Sequence, residues 1–264
     1  MENQIFNESC LDTMSRMDDC SIDLVVTSPP YDNLRTYDND VDQSWGVSVW
    51  KPIISDLARV IKEGGVIVWV VGDATVNGSE TGSSFKQALY FMECGLRLHD
   101  TMIWDKGWFQ AGDVSVRYGQ SIEYMFVLSK GKPKTFNPIK DRPNKEQGKR
   151  KKPPVRLSNG VVKTQDSYIT HNVYGIRKCV WEVPPCRSSI ERTGHPAQMS
   201  EDLAHDHIIS WSNEGDVVYD PFLGSGTTAK MSKVTKRKYI GSEINEDYFK
   251  ISQQRIEEAQ EYFF

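Results

Sequence analysis

The sequence has few cysteines, no long apolar run and no excess of positive charge. Its five cysteines include no C-x-x-C pair, which fits neither a disulfide framework nor a structural zinc site. The formal net charge of -4 argues against a uniformly basic nucleic-acid binder, so any such contact must come from a local patch. No apolar run reaches membrane-spanning length, and the first ten residues lack a signal-type apolar core. These absences predict a soluble cytoplasmic protein with reduced thiols and no membrane partner.

Short apolar runs alternate with amphipathic stretches along the chain. Ile22 to Val26 and Val66 to Val71 have the length and β-branched content of buried strands. Trp50 to Lys62 has helical spacing, with Gly64-Gly65 placed to end the helix, and a second helix closes at Gly95. Strands that alternate with helices predict an α/β fold, a Rossmann-like, doubly wound and mostly parallel sheet.

The first stretch with chemical potential is Ser28-Pro29-Pro30-Tyr31, which follows the strand at residues 22–26. The prolines stop the strand and fix φ, while the Ser28 hydroxyl and the Pro29 carbonyl remain as hydrogen-bond acceptors. Such a tip suits a planar ligand with an NH2 group, on which Tyr31 would stack. A Pro-Pro turn that only punctuates the chain is the alternative.

The second stretch joins a strand at residues 216–219 to a helix that begins near Ala229. The turn between them runs Asp220-Pro221-Phe222-Leu223-Gly224-Ser225-Gly226-Thr227-Thr228. Strand, glycine turn and helix start present unpaired N–H groups at the carboxyl edge of a parallel sheet. Lys230 stands where a dinucleotide fingerprint has its third glycine, which disfavours NAD and FAD. Glu243, at the end of the next strand, is placed either to bind a ribose diol or to cap the following helix.

Between the two stretches the composition becomes strongly basic. Residues 130–156 contain eleven lysines and arginines against two acidic residues. In an acidic protein this excess favours phosphate contacts driven by counterion release. Trp181, further along, is a candidate for contact with bases. A solubilising basic loop is the alternative interpretation.

Together the two stretches resemble the S-adenosylmethionine-dependent DNA amino-methyltransferases that modify cytosine N4 or adenine N6. Residues 27–31 resemble the catalytic motif of that family, and residues 220–228 resemble its methionine-binding loop. The catalytic motif comes first, which is similar to the circularly permuted β group. The segment His195-Pro196-Ala197 also resembles that group, and Glu123-Tyr124 resembles the segment that backs the target base. The implied architecture is a class I methyltransferase fold with a basic target-recognition insert.

The resemblance assigns roles to individual residues. Ser28, Pro29, Pro30 and Tyr31 are implied to be catalytic. The residues implied to bind S-adenosylmethionine are Ser9, Cys10, His195, Ala197, Asp220, Phe222, Gly224, Ser225, Gly226, Thr227, Thr228 and Glu243. This chain has Glu8-Ser9-Cys10 where the family often has Gly-Asp-Cys, so Ser9 and Cys10 are the nearest candidates for reading the cofactor adenine. No metal site is expected.

The implied reaction moves a methyl group to the exocyclic amine of a base flipped out of double-stranded DNA. In this family Ser28 favours cytosine N4, with adenine N6 as the alternative. A DNA-binding protein with a degenerate cofactor site, and a methyltransferase acting on RNA or a small molecule, stay open.

The resemblance also predicts the organisation of the chain and its partners. Residues 1–129 and 193–264 would form the two parts of the methyltransferase domain, with 130–192 as the target-recognition insert. Expected partners are double-stranded DNA, with a cognate restriction endonuclease and a homodimer as further candidates. The expected setting is the nucleoid of a prokaryote, or the host cell of a phage that encodes the protein.

Overall fold

The chain forms two compact units. The larger comprises Met1–Asn137 and Cys179–Phe264, and the smaller is Pro138–Lys178. The smaller unit is shorter than the predicted insert at residues 130–192 and lies within it. The structure is a computed structural model, and it describes residues 1–30, 45–108, 115–145, 148–152, 154–164, 169–170, 172–185 and 198–259.

An eight-stranded sheet forms the centre of the larger unit, with strand order β1-β16-β15-β2-β3-β7-β6-β14. Every neighbouring pair is parallel except the two that involve β7. The strands of this sheet are β1 Gln4–Phe6, β2 Ile22–Thr27, β3 Ile61–Val71, β6 Arg97–Asp105, β7 Ile122–Ser129, β14 Val180–Glu182, β15 Val217–Asp220 and β16 Lys238–Ser242. Strands β4 Thr75–Val76 and β5 Ser79–Glu80 form a separate small hairpin.

The described residues form six helices, of which five lie between strands and the last follows β16. Among them, none is long and apolar enough to cross a membrane. The helices are α1 Cys10–Ser15, α2 Val47–Val60, α3 Ser83–Glu93, α4 Glu201–Trp211, α5 Thr227–Val234 and α6 Glu246–Glu257.

The core lies around the central strands, which are apolar on both faces. Leu24, Val25 and Val26 of β2 have no exposed surface, and residues 66–71 of β3 are equally buried. Near-continuous apolar runs are typical of strands covered on both sides, as in a doubly wound fold. The predicted α/β class with a mostly parallel sheet is confirmed.

The boundary between α2 and β3 differs from the prediction. The helix ends at Val60, and Ile61 already has extended backbone angles. Gly64 and Gly65 therefore lie inside β3 instead of ending the helix. A Cβ at Gly64, where φ is +78°, would lie 2.9 Å from the Cβ of Lys134. This glycine is thus explained by the close passage of the later chain, which the sequence does not reveal.

Helix α3 presents an unexpected face to the sheet. Phe85, Leu89 and Met92, whose spacing indicates an apolar face, are each about half exposed. The buried face instead contains Gln87, whose Oε1 accepts a hydrogen bond of 2.8 Å from Nε1 of Trp69. A buried polar pair of this kind is invisible to a pattern based on hydrophobicity.

The smaller unit consists of three short antiparallel ladders joined by turns. Within it, Arg177 forms an ion pair of 2.6 Å with Asp141. Most of its lysines and arginines are exposed to solvent. The ladders pair β8 Arg142–Pro143 with β13 Tyr174–Gly175, β9 Arg150–Lys151 with β12 Ile169–Thr170, and β10 Pro154–Arg156 with β11 Val162–Thr164.

Candidate active site

The two stretches singled out by the sequence meet at the point where the strand order reverses. From β2 the chain passes through α2 to β3 on one side, and from β15 it passes through α5 to β16 on the other. Because β2 and β15 are neighbours and parallel, their carboxyl ends open onto the same edge. Such a switch point is where open α/β sheets bind ligands. Ser28 follows β2 there, and the 220–228 loop follows β15.

The loop after β15 is held in shape by its own backbone and by β16. The N–H of Phe222 donates to Oδ1 of Asp220 at 3.0 Å, and the N–H of Leu223 donates to the Ser242 carbonyl at 2.9 Å. Gly224 and Gly226 have φ values of +53° and +85°, which favour glycine. The turn that brings the chain into α5 therefore depends on both glycines.

Glu243 lies at the end of β16 and contacts this loop. Its two carboxylate oxygens accept hydrogen bonds from the N–H groups of Gly224 at 2.7 Å and Asn245 at 2.8 Å. The N–H of Ile244 also acts on this carboxylate, which with four acceptor sites keeps some capacity for a further donor. The N-cap of α6 is Asn245, whose Oδ1 accepts from Asp247 and Tyr248. Glu243 thus braces the loop and is not the side-chain cap of that helix.

Two side chains of the loop, those of Ser225 and Thr227, contact Arg255 of α6. The Arg255 guanidinium donates to the Ser225 Oγ at 2.9 Å and to the Thr227 Oγ1 at 3.3 Å. It also forms an ion pair with Glu201 at 2.6 Å. Arg255 also donates to the Ser225 carbonyl at 2.5 Å. Of Ser225 and Thr227, the backbone N–H groups are therefore better placed than the side chains to face a ligand. No sequence signal pointed to Arg255.

Gly226 has a packing role besides its backbone angle. A Cβ added there would lie 2.8 Å from the Cβ of Ser252 in α6. The family resemblance implies that Gly226 binds the cofactor, whereas the space a Cβ would occupy there is next to α6. As N-cap of α5, Gly226 offers no side-chain acceptor, so the first N–H groups of the helix are left for a ligand or solvent.

The end of β1 contributes Ser9 and Cys10 at the same edge. The N–H of Glu243 donates to the Phe6 carbonyl at 3.0 Å, which ties the ends of β1 and β16 together. Ser9 is the N-cap of α1, and its Oγ accepts from the Leu11 N–H at 3.3 Å. Cys10 is 6% exposed, and burial raises the pKa of its thiol to about 12. This thiol is therefore neutral at physiological pH.

The tip after β2 is partly buried. Ser28 and Pro30 are half-buried, and Pro29 is buried. Tyr31, His195 and Ala197 lie outside the described residues. Trp45, which the sequence did not single out, packs edge-on against Phe222 with ring centroids 5.3 Å apart. The stiff backbone of the tip and the Phe222 loop are thus brought to one edge.

Two buried carboxylates give this edge a negative character. Burial raises the pKa of Asp220 to about 6, although hydrogen bonds from Thr27 and Phe222 act in the other direction. Burial also raises the pKa of Glu243, and the charge of Asp220 adds to that increase. Two neighbouring carboxylates that are costly to ionise favour a cationic ligand, which would relieve both.

The residues present suit S-adenosylmethionine, which combines a sulfonium and an ammonium with a ribose diol. Trp45 is 8% exposed, and its Nε1 has no hydrogen-bond partner in the part of the chain that the structure describes. The Trp45 N–H, beside Phe222, adds a hydrogen-bond donor to the two carboxylates and to the first N–H groups of α5. The site therefore offers acceptors for the ribose diol, negative charge for the cationic groups and donors for the carboxylate of S-adenosylmethionine.

Glu123 and Tyr124 begin β7 at the same edge of the sheet. Glu123 is buried and forms an ion pair with Lys106, which also lies over the Trp104 ring at 5.2 Å from its centroid. Tyr124 stacks on Phe126 with centroids 5.5 Å apart. Strand β3 separates β7 from β2, so this pair lies two strands away from the strand that precedes the tip.

Two expectations about other aromatic and basic residues are corrected. Trp181 is 5% exposed and stacks on His207 at 4.5 Å, so it is a core residue and cannot contact bases. Lys130 donates to the carbonyl oxygens of Ala58 and Ile61 at 3.0 and 3.2 Å, near the end of α2. Lys130, the first residue of the basic run, is therefore held by carbonyl oxygens of the protein itself.

Comparisons with known proteins agree with this geometry. Residues 22–254 match the family model described as DNA methylase, which covers N6 and N4 amino-methyltransferases. The chain belongs to this family. It is 49% identical over 245 residues to the orphan methyltransferase M.BamHII of Bacillus amyloliquefaciens, a match that covers 90% of this chain and 89% of that protein.

Solved structures show the same fold in other DNA methylases. The PvuII DNA methyltransferase, described as cytosine-N4-specific, matches 97% of this chain and 86% of its own with a TM-score of 0.72 and 18% identity. M1.HpyAVI in complex with SAM matches 96% of this chain and 98% of its own, with a TM-score of 0.65 and 22% identity. Family membership confirms the predicted class, a DNA methyltransferase that uses S-adenosylmethionine.

Proposed function

We propose that this DNA methylase transfers a methyl group to the exocyclic N4 of a cytosine flipped out of double-stranded DNA. The observation that carries the proposal is that the Ser28 tip and the 220–228 loop meet at one switch point. The hydroxyl of Thr27, next to Ser28, lies 2.6 Å from Asp220 at the start of that loop. An acceptor for an amine and a site for a methyl donor are therefore adjacent.

The tip has the groups that amine methylation needs. An exocyclic amine is a poor nucleophile because its lone pair is delocalised into the ring. Accepting both amine hydrogens at the Ser28 hydroxyl and the Pro29 carbonyl would draw the nitrogen toward tetrahedral geometry and free the lone pair. Tyr31 would stack on the flipped ring. S-adenosylmethionine supplies an electrophilic methyl group on a cationic sulfur.

The resemblance and the geometry of the loop together support a proposal for the cofactor side of the site. Asp220 and Glu243 supply negative charge, and Glu243 keeps acceptor capacity for a ribose diol. The backbone from Gly224 to Thr228, with Phe222 beside it, would enclose the methionine end. Ser9 and Cys10 are proposed for the adenine side, together with His195 and Ala197. These assignments of Ser225 and Thr227 concern their backbone, since their side chains contact Arg255.

The smaller unit is proposed to contact DNA phosphates. It exposes the positive side chains of Lys140, Arg142, Lys145, Lys149, Arg150, Lys152 and Arg156. Clustered cations release condensed counterions when they meet phosphates, which gives affinity without base specificity. A cognate endonuclease, a homodimer and a nucleoid location stay predictions.

The test is to incubate the protein with unmethylated DNA and S-adenosylmethionine, digest to nucleosides and identify the product by mass spectrometry. N4-methylcytosine supports the proposal, whereas N6-methyladenine would show that Ser28 does not exclude adenine. A sample that binds the cofactor but methylates only RNA, or nothing, would overturn the proposed substrate.

Ser28→Ala tests the role of the tip within the same assay. We expect the rate of methyl transfer to fall by about a hundredfold while the dissociation constant of S-adenosylmethionine stays within about twofold, because Ser28 acts on the target amine. Ser21→Ala, which removes a hydroxyl at the amino end of β2, is the matched control and should leave both values unchanged. Equal losses of rate and cofactor affinity in Ser28→Ala would contradict the assignment.

A further inference from the structure

The two central strands separate just before they reach the candidate site. Backbone pairing between β15 and β2 is limited to Val218 with Leu24 and Tyr219 with Val25. On its other side, β2 continues to pair with β3 as far as Thr27. The gap at the switch point therefore lacks the backbone ladder that fixes the rest of the sheet.

Two side-chain hydrogen bonds span this gap. Oγ1 of Thr27 donates to Oδ1 of Asp220 at 2.6 Å, and Oγ1 of Thr228 donates to the Val26 carbonyl at 3.1 Å. Thr27, Thr228 and Asp220 are 0%, 2% and 4% exposed. Hydrogen bonds in such a water-free setting are strong and costly to leave unmade. These two contacts are called the β2–β15 bridge below.

The cofactor loop is supported by hydrogen bonds from its own backbone. Phe222, Leu223 and Gly224 all donate backbone hydrogen bonds that hold the loop to itself and to β16. In the tip, Pro29 and Pro30 have no N–H to donate. Thr27 is the last residue before the tip, so its hydrogen bond to Asp220 is placed to fix the tip relative to the loop.

We propose that Thr27 is a positioning residue, which acts through Asp220 to hold the Ser28 tip at the correct distance from the methyl donor. The inference rests on the proposed function of the same site. Methyl transfer needs the reacting atoms about 3–3.5 Å apart and in line, and a misplacement of about 1 Å can cost a hundredfold in rate. The bridge sets that distance between β2 and β15, at the point where their backbone pairing has ended.

The experiment compares Thr27→Val, which removes the hydroxyl at nearly constant volume, with Thr27→Ser, which keeps it. Thr235→Val is the matched control. Thr235 is a buried threonine at the end of α5, and in the described residues its hydroxyl donates to the carbonyl oxygens of Met231 and Ser232 in that helix. Single-turnover methyl transfer to DNA and S-adenosylmethionine affinity by calorimetry are measured for each. We expect Thr27→Val to lose at least tenfold in transfer rate with cofactor affinity within about twofold, and Thr27→Ser and Thr235→Val to stay near wild type.

A wild-type rate in Thr27→Val would overturn the proposal, as would a loss of cofactor affinity that matches the loss of rate. Thr228→Val provides a second approach if Thr27→Val does not fold, since it removes the other half of the bridge. In that variant we expect a loss of transfer rate that exceeds the loss of cofactor affinity. Equal losses would again contradict a positioning role.

Amide hydrogen exchange separates failure of this inference from failure of the proposed function. If the wild-type protein methylates no DNA, the proposed function fails, and the bridge is judged by exchange in a peptide covering residues 22–28. The bridge is supported if the 22–28 peptide exchanges faster in Thr27→Val than in wild type and exchanges at the wild-type rate in Thr27→Ser. A peptide from β16 should exchange at the wild-type rate in both variants. Exchange identical to wild type in Thr27→Val overturns it.

Discussion

Replacing Asp220 with asparagine should make the protein more stable at alkaline pH while it impairs the enzyme. Asp220 is 4% exposed, and burial raises its pKa from 3.8 to about 6. Asparagine keeps Oδ1 as acceptor for Thr27 and for the Phe222 N–H, and it places an amide donor toward Thr228. The substitution therefore removes the charge while it preserves the hydrogen bonds.

The sign of the pH dependence follows from the raised pKa. The folded protein binds the Asp220 proton more tightly than the unfolded chain does. The stability that the protonated Asp220 carboxyl contributes is therefore complete below pH 3.8. It is lost progressively as the pH rises through about 6. At about 1.36 kcal/mol per pKa unit, the ionised carboxylate costs roughly 3 kcal/mol at pH 8 and about half of that at pH 5.

Urea unfolding of wild type and Asp220→Asn at pH 5 and pH 8 measures this difference. The stability of Asp220→Asn relative to wild type should increase by about 1.5 kcal/mol between the two values. Asp18→Asn, which removes an exposed carboxylate, is the control and should show no such increase. A relative stability that is equal at both pH values, or lower at pH 8, would refute the assignment of a buried, destabilising charge. In the same variant, affinity for cationic S-adenosylmethionine should fall at pH 8.

Three further predictions concern packing, a buried ion pair and DNA contacts. Gly226→Ala should lower the unfolding free energy by about 1–3 kcal/mol, because of its positive φ and the Ser252 contact, and Gly160→Ala, with open space and a similar φ, should cost less. Lys106→Met should cost about 3–5 kcal/mol by removing the ammonium beside buried Glu123, and a smaller loss in the Lys106→Met/Glu123→Gln double variant would verify the coupling, while additive losses would contradict it. Lys149→Ala should reduce the slope of log K for DNA against log salt by about 1, whereas Lys132→Ala, outside the smaller unit, should not; equal slopes would contradict a DNA-contacting role for that unit.

Much of the fold and of the site follows from local sequence patterns. The alternation of apolar runs and helical stretches indicates the α/β class because a buried parallel strand must be apolar on both faces. Ser28-Pro29-Pro30 and the 220–228 turn were identified because proline and glycine restrict the backbone in ways that survive any tertiary context. The two motifs together resemble one family, the DNA amino-methyltransferases, and the match to the family model confirms that family.

Other features depend on contacts between residues far apart in the chain. Gly64-Gly65 looks like a helix end, but Gly64 is explained by the close passage of Lys134. A Cβ at Gly226 would meet the side chain of Ser252 in α6. Trp181 looks like a base contact until the sheet buries it against His207. Local patterns cannot specify which distant side chain fills a given space.

The sequence by itself indicated the candidate residues for the chemistry, since their side-chain and backbone properties are local. Only the tertiary structure decided how those residues are held: Arg255 behind the loop, Trp45 beside Phe222, and the hydrogen bond from Thr27 to Asp220 across 193 positions of sequence. That bond exists because two strands distant in the chain lie side by side and part at the switch point. Proximity of this kind is set by the packing of the whole sheet, and no local pattern encodes it.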